Sequence, residues 1–142
     1  MKRRAFLILP FLATAAQAHS NKLGDIKIGH VWALPAVVAV DGQVFMPLFN
    51  AGTTEDSLVA ARSPVAGVIE LRTNNRYDEP PESAFALAPG KPLAMRPTAF
   101  HLRLVGLQRP LKVGDRFSII LDFLNAGEIE LEVHVETKPR KI

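Results

Sequence analysis

Along this chain, apolar residues recur at every second position in short runs broken by Pro, Gly and Asn. Phe100, Leu102 and Leu104 alternate with His101, Arg103 and Val105, the period-two pattern of a half-buried strand. Pro97 precedes that run, Gly106 and Pro110 end it, and Lys112-Val-Gly-Asp115 makes the next reversal. From Arg116 to Leu124, Phe117, Ile119, Leu121 and Phe123 share a face, and Asn125-Ala-Gly127 closes a hairpin whose Gly suits a left-handed position. Glu128 to Glu136 answers with Ile129, Leu131, Val133 and Val135 inward and Glu128, Glu130, Glu132, His134 and Glu136 outward. Carboxylates on one strand face can run acid–base chemistry or hold Ca²⁺. Without loop carbonyls or a Gly-rich turn around them, this row reads as a solvated face, and His134 belongs to it.

The earlier half follows the same rule. Ile26, Ile28, His30 and Trp32 are expected on one face of a first strand, with Asp25, Lys27 and Gly29 on the other. His30 then sits on the apolar side, where a histidine is a core residue bonded to a neighbouring backbone group. Pro35 to Gly42 is a connection, and Gln43 to Asn50 is a strand apolar on both faces. Pro47 within it suggests a bulge or an edge, because proline cannot donate to a ladder. Asp56 to Val65 and Val68 to Arg72 are two more strands. Tyr77-Asp-Glu-Pro-Pro-Glu82 is a stiff exposed loop, and Phe85 to Met95 is a pair of short strands around Pro89-Gly90. Met46 and Met95 read as packing residues.

No stretch of twelve residues carries a helical period with caps. Many short strands between Pro/Gly turns predict an all-β sandwich. Ahead of it, Met1-Lys-Arg-Arg4, the apolar run Ala5 to Ala16 and Ala16-Gln-Ala18 have the form of a secretory signal peptide. That run, interrupted by Pro10, is well short of the roughly 20 residues a membrane span requires. Cleavage after Ala18 removes Lys2, Arg3 and Arg4 and takes the +3 formal charge to zero, so the charge is no argument for nucleic acid. The expected organisation is a signal peptide at 1–18, a polar lead-in at 19–24, one β-domain at 25–137 and a basic tail at 138–142. The exported protein has no membrane span and is expected in the periplasm. There is no cysteine, so the domain rests on apolar packing and has no thiolate for a metal or for catalysis. No Ser/His/Asp spacing, nucleophile elbow, phosphate loop or His-x-x-x-His is present, which argues against an enzyme.

Several of these segments resemble the periplasmic copper chaperones of the PCu(A)C type. Gly24-Asp-Ile-x-Ile-x-His30-x-Trp-Ala33 is similar to their opening. Asp56-Ser-Leu-Val-Ala-Ala-Arg-Ser-Pro64 and Val68-Ile-Glu-Leu-Arg72 are similar to two of their strands. His101-Leu-Arg103-Leu-Val-Gly-Leu107, followed by Pro110-Leu111 and Gly114-Asp115, resembles their His-x-Met strand. The resemblance covers about Gly24 to Val135. It implies a cupredoxin-like Greek-key β-sandwich, copper as cargo, and delivery to a periplasmic or membrane copper acceptor protein.

In that family two His and a pair of Met hold the copper. Carried over by position, His101 stands where a ligand His belongs, Arg72 takes the place of a second His, and Arg103 takes the place of a Met. No Met lies in the loop from Thr73 to Ser83. A guanidinium stays charged and does not ligate, so the resemblance implies a copper-chaperone-like protein with weakened or altered metal binding. Two alternatives stay open. Arg72, His101 and Arg103 can form a pocket suited to a carboxylate, a phosphate or an acidic partner loop, making a metal-free binding or assembly module, or they stand as ordinary outward-facing residues. Cleavage after Ala18 would also place an amine and an imidazole together on His19. With His101 or His30, that pair would suit Cu(II).

Overall fold

The computed structural model describes residues 21–137, and among these twelve strands and no helix form two sheets. β1 (Asn21–Leu23), β2 (Ile26–Ile28), β5 (Leu48–Asn50) and β9 (Pro92–Leu93) make a small antiparallel sheet in the order β1-β2-β5-β9. The large sheet contains β3 (Trp32–Ala33), β4 (Gly42–Phe45), β6 (Asp56–Arg62), β7 (Ala66–Arg72), β8 (Phe85–Leu87), β10 (His101–Leu107), β11 (Arg116–Phe123) and β12 (Gly127–Val135). Its order is β7-β10-β4-β3-β12-β11-β6-β8, antiparallel except where β12 runs parallel to β3. β6 and β7 stand near opposite ends of that order, yet only residues 63–65 join them. The large sheet must therefore curl until its ends meet. The all-β expectation holds, and the architecture is a nearly closed, cupredoxin-like sandwich.

Two expected strands are each divided between the sheets. Gln43 to Asn50 splits at Met46-Pro47 into β4 and β5, so Pro47 marks a crossing between sheets rather than a bulge within one. The first strand breaks at the same level. Gly29 N donates to Pro47 O at 3.0 Å, and a Cβ on Gly29 would lie 2.4 Å from Pro47 Cγ, so only glycine admits this proline.

The break shifts the alternation by one residue, which sends every later side chain to the other face. Ile26 and Ile28 are in the core, but beyond Gly29 the core residues are Val31 and Ala33. His30 and Trp32 consequently occupy the opposite face from the one the simple period predicts. The two short strands expected around Pro89-Gly90 also do not pair with each other. β8 joins β6, while β9 joins β5 in the other sheet.

Other expectations stand. Phe117, Ile119, Leu121 and Phe123 are buried against Leu131, Val133 and Val135, and Gly127 turns the hairpin at a φ of 98°. Leu102 and Leu104 fill the core from β10, and Phe100 packs edge-on to Phe85 at 5.0 Å between ring centroids. The signal peptide, His19 and the basic tail lie outside the described residues.

Candidate functional site

Register across the large sheet builds the site. His101 is the Cα partner of Arg72, and Arg103 is the partner of Glu70. Leu102 pairs with Val44, which brings His101 level with Phe45; their ring centroids are 6.3 Å apart. Phe45 pairs with Trp32, and Trp32 with His134. One lateral row therefore runs His134, Trp32, Phe45, His101, Arg72 over the face that points away from Val31, Ala33 and Leu102.

The loop after β7 folds back over the Arg72 end of that row. Glu82 N donates to Leu71 O at 2.9 Å, and Glu79 N to Arg76 O at 3.2 Å. Tyr77, carried on this loop, reaches His101 Nε2 with its hydroxyl at 2.8 Å. His101 Nδ1 lies 2.8 Å from Ala99 O. A carbonyl only accepts, so Nδ1 carries the proton and Nε2 receives the Tyr77 hydroxyl proton. Gln43 Nε2 donates to the Tyr77 oxygen at 3.1 Å and to Pro97 O at 3.0 Å. Both imidazole nitrogens are thus bonded, and His101 is 0% exposed. Burial pushes its pKa below the ordinary histidine value. The bond to Ala99 O opposes that, and the charges of Arg72 and Arg103 add to the lowering.

The guanidiniums are engaged as well. Arg72, 4% exposed, donates to Glu70 Oε1 from Nε at 3.0 Å and from Nη2 at 2.7 Å, and its Nη1 reaches Glu79 O at 2.6 Å. Arg103 Nη1 donates to the same Glu70 oxygen at 3.0 Å, and its Nη2 to Asp41. Both guanidiniums lie over the Tyr77 ring, with Cζ 4.0 Å from the centroid for Arg103 and 5.3 Å for Arg72, a cation–π arrangement. Arg103 Nε is buried against this ring with no hydrogen-bond partner among the described residues. Burial disfavours ionised Glu70, but hydrogen bonds and charge from Arg72 and Arg103 outweigh it and hold the carboxyl below its usual range. Two cations and two anions leave the cluster neutral.

Arg72, His101 and Arg103 are therefore neighbours, as the family geometry implies. The sequence reading missed Tyr77, Glu70, Gln43 and Asp41. One signal for Tyr77 was present: it is the only tyrosine in the chain, followed directly by the acids and prolines of Asp78 to Glu82. Nothing in the period of β7 distinguishes Glu70 from any other outward acid.

A second polar group lies at the other end of the row. His30 Nε2 meets Glu136 Oε2 at 3.0 Å, where a backbone partner was expected. His134 Nε2 stands 3.4 Å from Glu132 Oε1. The His30 and His134 rings are 5.6 Å apart between centroids, so two histidines expected on different surfaces are adjacent. Among the described residues, no three His, Asp or Glu side chains are disposed together to hold a metal ion.

The fold is that of solved PCuAC domains. A copper-bound PCuAC domain from PmoF2 is 26% identical over 84% of this chain and 99% of its own, with a TM-score of 0.75. An apo PCuAC domain from PmoF1, 21% identical over 84% and 100%, has the same TM-score of 0.75. The Cu(I) form of DR1885 from Deinococcus radiodurans, 22% identical over 89% and 87%, has a TM-score of 0.64; the last two show the fold alone. The family model described as "Putative lipoprotein LpqE-like" matches residues 26–135, and the chain belongs to this LpqE-like family. A curated relative from Leifsonia xyli subsp. xyli, "Putative lipoprotein Lxx21020", is 25% identical over 130 residues, 88% of this chain and 78% of its own length.

Proposed function

We propose that this protein is an exported, non-catalytic carrier of the copper-chaperone type in which Cu(I) binding at the family position is weakened. Support for the class comes from the fold match along nearly the whole domain, including the copper-bound PCuAC domain of PmoF2. Support for export comes from the leader pattern at 1–18 and from the lipoprotein name of the relative. A thioether-linked acyl chain needs a cysteine and these residues have none, so a cleaved leader, the lead-in, the domain at 25–137 and the basic tail remain the proposed organisation.

One observation carries the weakened binding. The Nε2 lone pair of His101, the donor a metal would use, is taken by the Tyr77 hydroxyl. Cu(I) prefers soft thioether and imidazole donors, and the side chains beside His101 are Arg72 and Arg103. Neither ligates, and both repel a cation. The residues present do not fit the family's copper set, so copper here is altered cargo whose acceptor would be a periplasmic or membrane copper protein.

A second reading, a metal-free binding or assembly module, is favoured by that same closure of His101. Its proposed Arg72 and Arg103 face would have to exchange Glu70 and Asp41 for an anionic ligand or partner. Cu(I) titration against a chromophoric competitor separates the readings. Weak Cu(I) binding that shifts the His101 resonances and tightens in Tyr77→Phe supports the carrier. Absence of Cu(I) binding in both proteins, with both folded, removes it.

A further inference from the structure

The geometry points to a divalent metal site at the other end of the row, formed by His30 and His134, that takes Cu(II) or a similar borderline ion. It rests on the junction of β3 and β12 and is independent of what happens at His101. Each of these imidazoles has Nε2 turned to a carboxylate, His30 to Glu136 at 3.0 Å and His134 to Glu132 at 3.4 Å. His30 thereby has the arrangement characteristic of a metal-ligating histidine, one ring nitrogen hydrogen-bonded to a carboxylate and the other left to bind, while Glu132 stands beside His134 as a charge partner. The hydrogen bond to Glu136 favours the His30 tautomer with the proton on Nε2, which makes its Nδ1 the lone-pair donor, and the Glu132 carboxylate near His134 Nε2 biases that ring the same way.

Ring separation agrees with bridging by one ion. With a metal–nitrogen bond of about 2.0 Å and ring centres about 1.2 Å further out, a cis angle between about 90°, as in tetragonal Cu(II), and the tetrahedral value sets the centroids about 4.5–5.2 Å apart. The observed separation is 5.6 Å, within reach of a small ring rotation. Side-chain exposures of 16% for His30 and 29% for His134 leave the pair open to solvent ions, with His134 fixed in β12 and His30 standing between β2 and β3. His134 N donates to Val31 O at 3.2 Å, and Glu136 N to Ala33 O at 2.8 Å. The protein supplies two imidazoles, the two carboxylates orient them, and water completes the coordination. That is why no three ligating side chains converge here. Such a set of nitrogen and oxygen donors suits Cu(II) above Zn(II), and has no sulfur to select Cu(I). Glu132 and Glu136 lower the cost of bringing a dication to this face, in contrast to the two guanidiniums beside His101.

The test is Cu²⁺ titration of the exported chain, followed by electron paramagnetic resonance and by the NMR signals of the histidines under diamagnetic Zn²⁺. A copper spectrum with two imidazole nitrogens is expected, with Zn²⁺ shifting His30 and His134 and leaving His101 in place. His30→Gln and His134→Gln should each remove one nitrogen from the spectrum, and Glu136→Gln should weaken binding by about tenfold. Both substituted sites are partly exposed, so these proteins should fold, and unchanged circular dichroism checks that. Binding that survives both histidine substitutions with its two-nitrogen spectrum, or Zn²⁺ shifts confined to His101 or to the amino terminus, would overturn the proposal.

Discussion

The hydroxyl of Tyr77 sits 2.8 Å from Nε2 of His101, and the loop that carries it closes the face of β10 that the alternation would leave half open. Gln43, Tyr77, His101 and Ala99 form a continuous run of hydrogen bonds. In a run largely shielded from solvent each bond polarises the next, and loss of one member leaves its neighbour unsatisfied. Tyr77→Phe should therefore cost about 1–2 kcal/mol of stability, read as a lowered urea midpoint at unchanged slope. An unchanged midpoint would mean that water or another group already satisfies His101 Nε2.

His101 also predicts a pH dependence. Its folded pKa lies below the ordinary 6.5, first through burial and then through the two nearby guanidiniums. Between the folded value and about 6.5 the unfolded chain binds more protons, so stability rises with pH there. The His101 contribution is complete above about pH 6.5 and is lost as pH falls towards the folded value. NMR titration should find the His101 ring less protonated than an ordinary histidine at the same pH. Titration at or above 6.5 would contradict this account of the site.

Glu70 joins Arg72 to Arg103 through a single oxygen. Glu70→Gln keeps the shape and removes the charge that both guanidiniums share. Because Arg72 is almost fully buried, we expect a loss of about 2–4 kcal/mol, larger than for Glu128→Gln in the exposed Arg62–Glu128 pair. Equal effects in chemical denaturation would show that the cluster is no more than a surface ion pair. Glu70 also has a lowered pKa, so its contribution is present above the ordinary carboxyl value and disappears as pH falls through the folded one.

Gly29 should not accept a side chain. The added methyl of Gly29→Ala would meet Pro47 at 2.4 Å, at the point where both β2–β3 and β4–β5 cross between sheets. A cost of about 1–3 kcal/mol is expected from the overpacking, seen as a drop in thermal midpoint. Restoration in Gly29→Ala/Pro47→Ala would assign the loss to that contact, and a Gly29→Ala midpoint equal to that of the parent protein would refute it.

Much of the fold was legible in the sequence because a strand records its two faces residue by residue. The β11–β12 hairpin, with Phe117 to Phe123 facing Leu131 to Val135, needed only that alternation and a glycine able to take positive φ. Where alternation crosses a sheet boundary it fails, as at Gly29 and Pro47. The register slips by one there, which moves His30 and Trp32 off the core side and brings His30 beside His134. The site was legible only in part. Resemblance set Arg72, His101 and Arg103 at family ligand positions and left open whether they form one pocket, Tyr77 reaches His101 from a loop whose path no period describes, and Glu70 became a shared counter-ion only through pairing with β10.

By itself the sequence determined that this chain is all-β, because apolar residues at every second position can be buried together only on one face of a strand. It also determined that the chain works without thiol chemistry, because it contains no cysteine. Tertiary structure alone decided which polar side chains meet. Those meetings, Tyr77 with His101 and His30 with His134, join residues far apart in the chain, and they depend on sheet order and strand crossing, which local alternation does not encode.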